Sequence, residues 1–436
     1  MTPTPASHDP ADAESPAFLH AVAELARRRP VLTSRAVYSQ GGEKLLEGGM
    51  TLDAGLVETL LSQPLAMRLD ECLATDGAID AVGLRKAATD AIRSLPFFAA
   101  MAADDTSREA LLEAVAGVPL PAPVAFQLTL ARETSFDQFD HGVLMALLCA
   151  YLVRETGGSA ADMAAAAAAG LLHDLGMLHI DPALLQAGHR LSRDERRPLY
   201  VHPITSAMLV DRFEAYPPQV KRAIVEHHEQ LDGSGYPRGL AGSAISPLGR
   251  VLSLAEVVTA MFDGKRHYPE QRVSLMLRIS PRRFDAACVA AVQRLLAILP
   301  APVAEPGPGV AESVQRLQLL AGLLAEWHDA LDQTTPDLDD ASRSVLRSFA
   351  EQAEALQSML FDAGITAEQL GMLTSGAEND PALRIELWAL AQELQWNLIA
   401  SAHQLQRRWE GVDATHPIPE ALAAWGDTVW ALDTLD

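Results

Sequence analysis

Between Phe126 and Leu299 apolar residues return every three or four positions, the spacing that lines up one side of an α-helix, and caps or breakers separate the runs. Helices are predicted over residues 137–155, 160–175, 193–213, 218–230, 247–262 and 286–298. Several helices joined by short connections imply an all-helical bundle. Upstream, residues 17–28 form an amphipathic pattern, followed by VYSQGGEKLLEGGMTLDAGLVETLLSQ. Its Gly41-Gly42 and Gly48-Gly49 pairs read as turns around a short extended piece, before a helix led by Thr51 as its cap. Residues 16–123 are therefore expected to be a small α+β module, and residues 124–300 the helical domain.

Residues 1–15, rich in Pro, Ser, Ala and Asp, have too few apolar side chains to offset chain entropy and read as a flexible leader. The stretch APVAEPGPG at 301–309 breaks the helical pattern as a linker would. Beyond it, residues 310–436 predict three or four more helices and carry all six tryptophans of the chain. Trp388, Gln392 and Trp396 share a helix face, which suits core packing or a helical protein partner. The fold class expected is mainly α: a bundle with an α+β N-terminal module and a helical C-terminal region.

The 436 residues are enough for two or three domains. A formal charge of -23, from 57 acidic against 34 basic residues, argues against duplex nucleic acid or an anionic membrane as the main partner. An anionic substrate would need local cations. The three cysteines, Cys72, Cys149 and Cys288, lie far apart, so neither a disulfide framework nor a thiolate zinc site is implied, and a reducing cytoplasm fits. No apolar run reaches the roughly 18 to 20 residues of a membrane span. The alanine-rich run 160–172 comes nearest, but it contains Asp162 and leads into His173 and Asp174.

Candidate chemistry concentrates in that same bundle. Of 13 histidines, seven (His141, His173, His179, His189, His202, His227 and His228) fall between positions 141 and 228. A bundle can gather metal ligands from facing helices. Neighbouring helical side chains diverge by about 100°, so the adjacent pair His173-Asp174 suits a multinuclear cluster in which the carboxylate bridges two ions. If His227 and His228 are both ligands, they serve different ions, or one leaves the helix at its frayed end. Imidazole and carboxylate donors suit iron, manganese or zinc in an open site. Two close divalent ions can polarise phosphoryl oxygens and supply an attacking nucleophile, which makes phosphodiester hydrolysis the natural reaction.

The segments LLHDLGMLHIDPALL, VHPITSAMLV, VEHHEQLDGSGYPRGLAG and RVLSLAEVVTAMF resemble the HD-GYP family in order and approximate spacing, over about 170 residues. The resemblance implies an all-helical HD bundle that hydrolyses cyclic di-GMP to pGpG or GMP with two or three divalent ions, iron or manganese first and zinc as an alternative. By matching positions it implies as metal ligands His141, His173, Asp174, His202, His227, His228 and Glu256, the last where the family has aspartate, with His173 and Asp174 at the catalytic centre. Asp137, one turn before His141, is where some members place a glutamate for a third ion; a solvated carboxylate at a helix start is the plainer reading. Gly235, Tyr236 and Pro237 would form the signature loop along one wall of the site. Lys265 and Arg266 stand near the family's phosphate-holding arginine, against which a solvated helix end is the simpler account. His179 and His189 match no ligand position and are expected to be exposed or hydrogen-bonded.

Position 177 departs from the family pattern. It holds methionine where the family has lysine, removing a cation expected near substrate phosphates. The competing reading is a receptor or scaffold that binds metal and nucleotide with negligible turnover, signalling through a protein partner of the C-terminal helices. Homodimerisation stays open.

Overall fold

The computed structural model describes residues 15–61, 64–185, 192–262, 264, 267–280, 282–300, 309–332, 338–362, 377, 380–412 and 418–434. It divides into two compact units, one comprising residues up to 263 together with 282–299, the other 264–281 together with 300–436.

The first unit opens with α1 (Pro16–Arg28), whose Ser15 side chain accepts a hydrogen bond from Phe18 N and caps the helix. Ser15, assigned above to the leader, is thus part of the fold. A three-stranded antiparallel sheet follows, with β1 (Val31–Thr33) between β4 (Thr51–Leu52) and β5 (Leu73–Thr75). A two-stranded ribbon pairs β2 (Val37–Tyr38) with β3 (Lys44–Leu46). Gly42 and Gly49, on either side of β3, adopt φ of 81° and 82°, the turn geometry that side chains resist. Thr51 is not a helix cap: it pairs with Leu32 in β4, and Asp53 Oδ1 accepts the Leu56 amide at 2.8 Å to start α2 (Ala54–Leu61). Strand pairing claimed the threonine backbone first.

The remainder of this unit is helical. In order come α3 (Ala81–Ser94), α4 (Pro96–Met101), α5 (Asp105–Ala116), α6 (Ala122–Thr134), α7 (Phe136–Glu155), α8 (Ala160–Leu172), α9 (Arg193–Asp211), α10 (Pro218–Glu226) and α11 (Pro247–Thr259). α13 (Ala286–Ile298) completes the unit, while α12 (Pro269–Ile279) belongs to the second. The helices α7 and α8 make close mutual contact because Gly142 and Gly170 face the partner backbone. A methyl at Gly170 would lie 2.8 Å from Met145 C. The predicted helices are present: α13 matches its bounds, α7 begins one residue earlier, and α8 to α11 end two to four residues sooner. The run 160–175 stops at Leu172 and continues as a 3-10 turn from Leu175, and the run 218–230 stops at Glu226, just before the histidine pair.

In the second unit, α12 and the helices Val310–Asp332, Asp340–Asp362, Pro381–Val412 and Glu420–Trp430 share one core around fully buried Trp327, which packs on Phe349 and Trp425. Trp388 is half-buried against this core and meets Tyr268 edge-on at 5.6 Å. Buried Arg272 pairs with buried Glu393 at 2.6 Å. Among the described residues no helix is long and apolar enough to cross a membrane. Residues 1–14, residues 301–308 of the proposed linker, His189, Lys265 and Arg266 lie outside the described residues.

Candidate metal centre

Four helices of the first unit end or begin where the histidines meet. His141 stands on the second turn of α7; His173 and Asp174 follow the last turn of α8; His202 lies within α9; His227 and His228 follow α10; Glu256 is on the last turn of α11. Helix ends suit this task because their last side chains project without a following turn to cover them.

A continuous chain of close contacts joins them. Glu256 Oε2 lies 3.0 Å from His141 Nε2 and 3.2 Å from His173 Nε2. Asp174 Oδ2 is 3.4 Å from His173 Nε2, while its Oδ1 is 3.1 Å from His202 Nε2 and 3.7 Å from His227 Nε2. His202 and His227 face each other Nε2 to Nε2 at 3.2 Å. His141, His173 and Asp174 form one group able to hold a metal ion, and His202, His227 and His228 form another. Asp174, with one oxygen toward each side, spans the two.

The opposite edges of three rings fix their chemistry. Nδ1 of His173 lies 2.7 Å from Gly170 O, that of His202 2.5 Å from Leu199 O, and that of His227 2.6 Å from Ile224 O. A carbonyl only accepts, so each Nδ1 carries the proton and, in a neutral ring, each Nε2 presents a lone pair. Those lone pairs converge on one another and on two carboxylates. His173 Nε2 and Asp174 Oδ1 are buried without a well-formed hydrogen bond. Such a concentration of acceptors is satisfied by cations, and second-layer carbonyls orienting imidazoles are the usual support for metal ligands. The donor set fits divalent metal.

Without a cation between the carboxylates, a proton is drawn to His173, the ring closest to both of them. Burial opposes charge on His173, but Asp174 and Glu256 outweigh it and hold the imidazole well above its ordinary value. Against their own burial, Asp174 is held well below the carboxylate range by His173 and His202, and Glu256 by His141 and His173. Burial pushes His227 well down, and His228 down to about 3, keeping both neutral and available as donors.

The DGSGYP segment closes one side. Tyr236 stacks on His228 with ring centroids 4.5 Å apart and meets Tyr200 edge-on at 5.1 Å. Gly235 leaves no room for a side chain, since a methyl there would fall 2.4 Å from both His228 O and Glu229 Cα. Gly176 is similar, with His202 O 2.6 Å from the position of its absent methyl.

Two buried carboxylates that the sequence reading passed over hold this arrangement. Glu229 accepts from the Arg238 and Leu240 amides at 2.7 and 2.8 Å, tying down the loop that carries Tyr236. Glu226, beside His227, accepts from Ser246 N and Oγ and from Arg222 Nε. The signal was available in the sequence, as acids flanking the HH pair. Gln138 adds a third support, donating from Nε2 to Asp174 O at 2.7 Å.

Asp137 is exposed on the first turn of α7 and belongs to neither ligand group. His179 is not exposed: it stacks flat on Phe18 at 5.0 Å, its Nδ1 is 3.2 Å from Ser15 Oγ, and burial pulls its pKa down to about 4. Met177 is half-buried in the 3-10 turn after Asp174.

A helical bundle with imidazoles and carboxylates gathered at one end defines the class of metal-site helical domains. Within that class, the profile of the HD domain family matches residues 125–287. This stretch is similar to HD domains over that range. The chain is 30% identical over 150 residues to 3'3'-cGAMP-specific phosphodiesterase 1 of Vibrio cholerae, covering 34% of each. It is 33% identical over 129 residues to the cyclic di-GMP phosphodiesterase response regulator RpfG of Xanthomonas campestris, covering 28% of this chain and 34% of that one. A cyclic di-GMP phosphodiesterase of Pseudomonas aeruginosa is 29% identical over 162 residues, covering 37% of this chain and 39% of the relative. The chain thus spans about a third of the length of the curated relatives it matches.

Proposed function

We propose that this chain is a metal-dependent phosphodiesterase acting on a cyclic dinucleotide, cyclic di-GMP or 3'3'-cGAMP, the two substrates in the names of its relatives. The observation that carries the proposal is the convergence of imidazole Nε2 atoms from three helices on the Asp174 and Glu256 carboxylates. His141, His173 and Asp174 would hold one divalent ion and His202, His227 and His228 another, with Glu256 joining the first and Asp137 available to a third. Iron or manganese suits these donors best, with zinc as the alternative. When bound, the ions would supply Lewis-acid stabilisation of phosphoryl charge and an activated nucleophile.

The protein's own contribution is placement. Carbonyls behind the rings fix the tautomers, Glu229 anchors the loop, and Gly235, Tyr236 and Pro237 form the wall against which a planar base can lie. Lys265 and Arg266 are the proposed phosphate contacts.

Met177 favours a second reading, a nucleotide receptor with little turnover, because a thioether stands where the resemblance implies a lysine near substrate phosphates. Anaerobic purification with iron or manganese, metal counting, and conversion assays on both dinucleotides against a His173→Ala, Asp174→Ala control separate the two. Conversion lost in the control supports the hydrolase. Full metal loading with nucleotide binding but no conversion supports the receptor.

A further inference from the structure

The helices that deliver the candidate ligands also build a cavity at their other ends. Its volume is about 730 Å³, and its wall is formed by the end of α7 and the first turns of α8, α10, α11 and α13. Along α8 the cavity residue Asp162 and the cluster residue Asp174 are separated by about 18 Å at 1.5 Å per residue, so this is a separate site. The volume is in the range that takes a drug-sized molecule.

Val153, Ala165, Val251 and Cys288 give the cavity an apolar wall, with burial keeping the Cys288 thiol uncharged up to about 12. The polar groups around it are unevenly committed. Asp162 Oδ2 already accepts from Ser159 N and Oγ, and Asp285 Oδ1 from the Ala287 and Cys288 amides, so both carboxylates serve as helix caps. Arg250 donates from Nε to Ile245 O, but its Nη1 stands 3.8 Å from Asp285 Oδ2, beyond hydrogen-bond reach. Arg222 spends Nε on Glu226 and Nη2 on Ala244 O. A guanidinium has five N–H donors, so both arginines keep N–H groups beyond those these bonds use, more than the remaining Asp162 and Asp285 oxygens would take up.

We infer that this cavity is a second ligand site, for an organic anion with an apolar body that lies on Val153, Ala165 and Val251 and places its acidic head against Arg250 and Arg222. The inference stands independently of the phosphodiesterase reading. Arg222 and Ser246 at the cavity both bond to Glu226, the residue before His227, so a bound anion would touch the scaffold of the cluster from behind.

The probe is 1-anilinonaphthalene-8-sulfonate, titrated by fluorescence into the full chain, whose net charge of -23 disfavours scattered anion binding. One saturable site is expected, displaced by dodecanoate but not by inorganic phosphate, which lacks an apolar body. Arg250→Gln should weaken the dye roughly tenfold, and Ala165→Phe should abolish its binding by filling the cavity. Should Ala165→Phe not fold, Gln219→Phe on the exposed first turn of α10 obstructs the mouth without entering the core. Absence of a saturable site, an Arg250→Gln titration superposing on the wild type, or unchanged binding in the filled cavity overturns the inference; displacement by phosphate alone replaces the amphipathic ligand with a simple anion and overturns it equally.

Discussion

Asp174→Asn offers the most direct reading of the cluster. The substitution keeps the shape of the side chain and removes its charge, at a residue whose two oxygens lie 3.1 Å from His202 Nε2 and 3.4 Å from His173 Nε2. With ions held between these atoms, each contact of the carboxylate with an ion is set at the value of a charge-assisted contact, roughly 1.5–3 kcal/mol. Two such contacts would sum to about 3–6 kcal/mol, but the carboxylate keeps 21% of its side-chain surface exposed, and solvent screening favours about 3–4 kcal/mol. That corresponds to roughly 100- to 1,000-fold weaker binding of at least one ion. Manganese titration read by electron paramagnetic resonance gives the affinity, elemental analysis gives the count, and circular dichroism checks that the helices persist. A folded Asp174→Asn protein that keeps its full metal complement at wild-type affinity would refute the role given to this carboxylate.

Other perturbations test separate parts of the argument. Gly235→Ala places a methyl 2.4 Å from backbone atoms of His228 and Glu229, so a loss of roughly 1–3 kcal/mol in urea unfolding and loss of turnover are expected together. Fully buried Asp70 receives Arg212 Nη2 at 2.6 Å and also faces Arg68; Asp70→Ala should cost about 3–5 kcal/mol, read as a lower denaturation midpoint at unchanged slope. His179 titrates near 4 in the folded protein against about 6.5 when unfolded, so its contribution is whole above pH 6.5 and declines as pH falls toward 4. His179→Phe should flatten the stability profile across that interval. Met177→Lys introduces a cation three residues after Asp174 and should raise turnover about tenfold or more; an unchanged rate would show that the methionine is not what limits it.

The helical periodicity carried the bundle, because burial of an apolar stripe is a local pattern that recurs every few residues. It also carried the histidine-rich motifs, whose residue types already restrict the chemistry to imidazole and carboxylate ligation. Local sequence did less well where nonlocal partners compete. Thr51 has the composition of a cap yet is taken by strand pairing with Leu32; for His179 the choice between exposure and a hydrogen bond is made by Phe18 and Ser15, more than 160 residues away. The α12 segment lies within the 124–300 interval by sequence but packs with the C-terminal helices.

Sequence alone supplied the candidate histidines and acids and the helices that bear them. What tertiary structure decided is that Asp174 reaches imidazoles from α8, α9 and α10 at once, and that Glu226 and Glu229, unremarkable acids in the chain, are buried as anchors. The reason is range. Helix formation follows from neighbours three and four residues apart, whereas a metal site depends on distances of a few ångströms between residues more than a hundred positions apart, and only packing sets those.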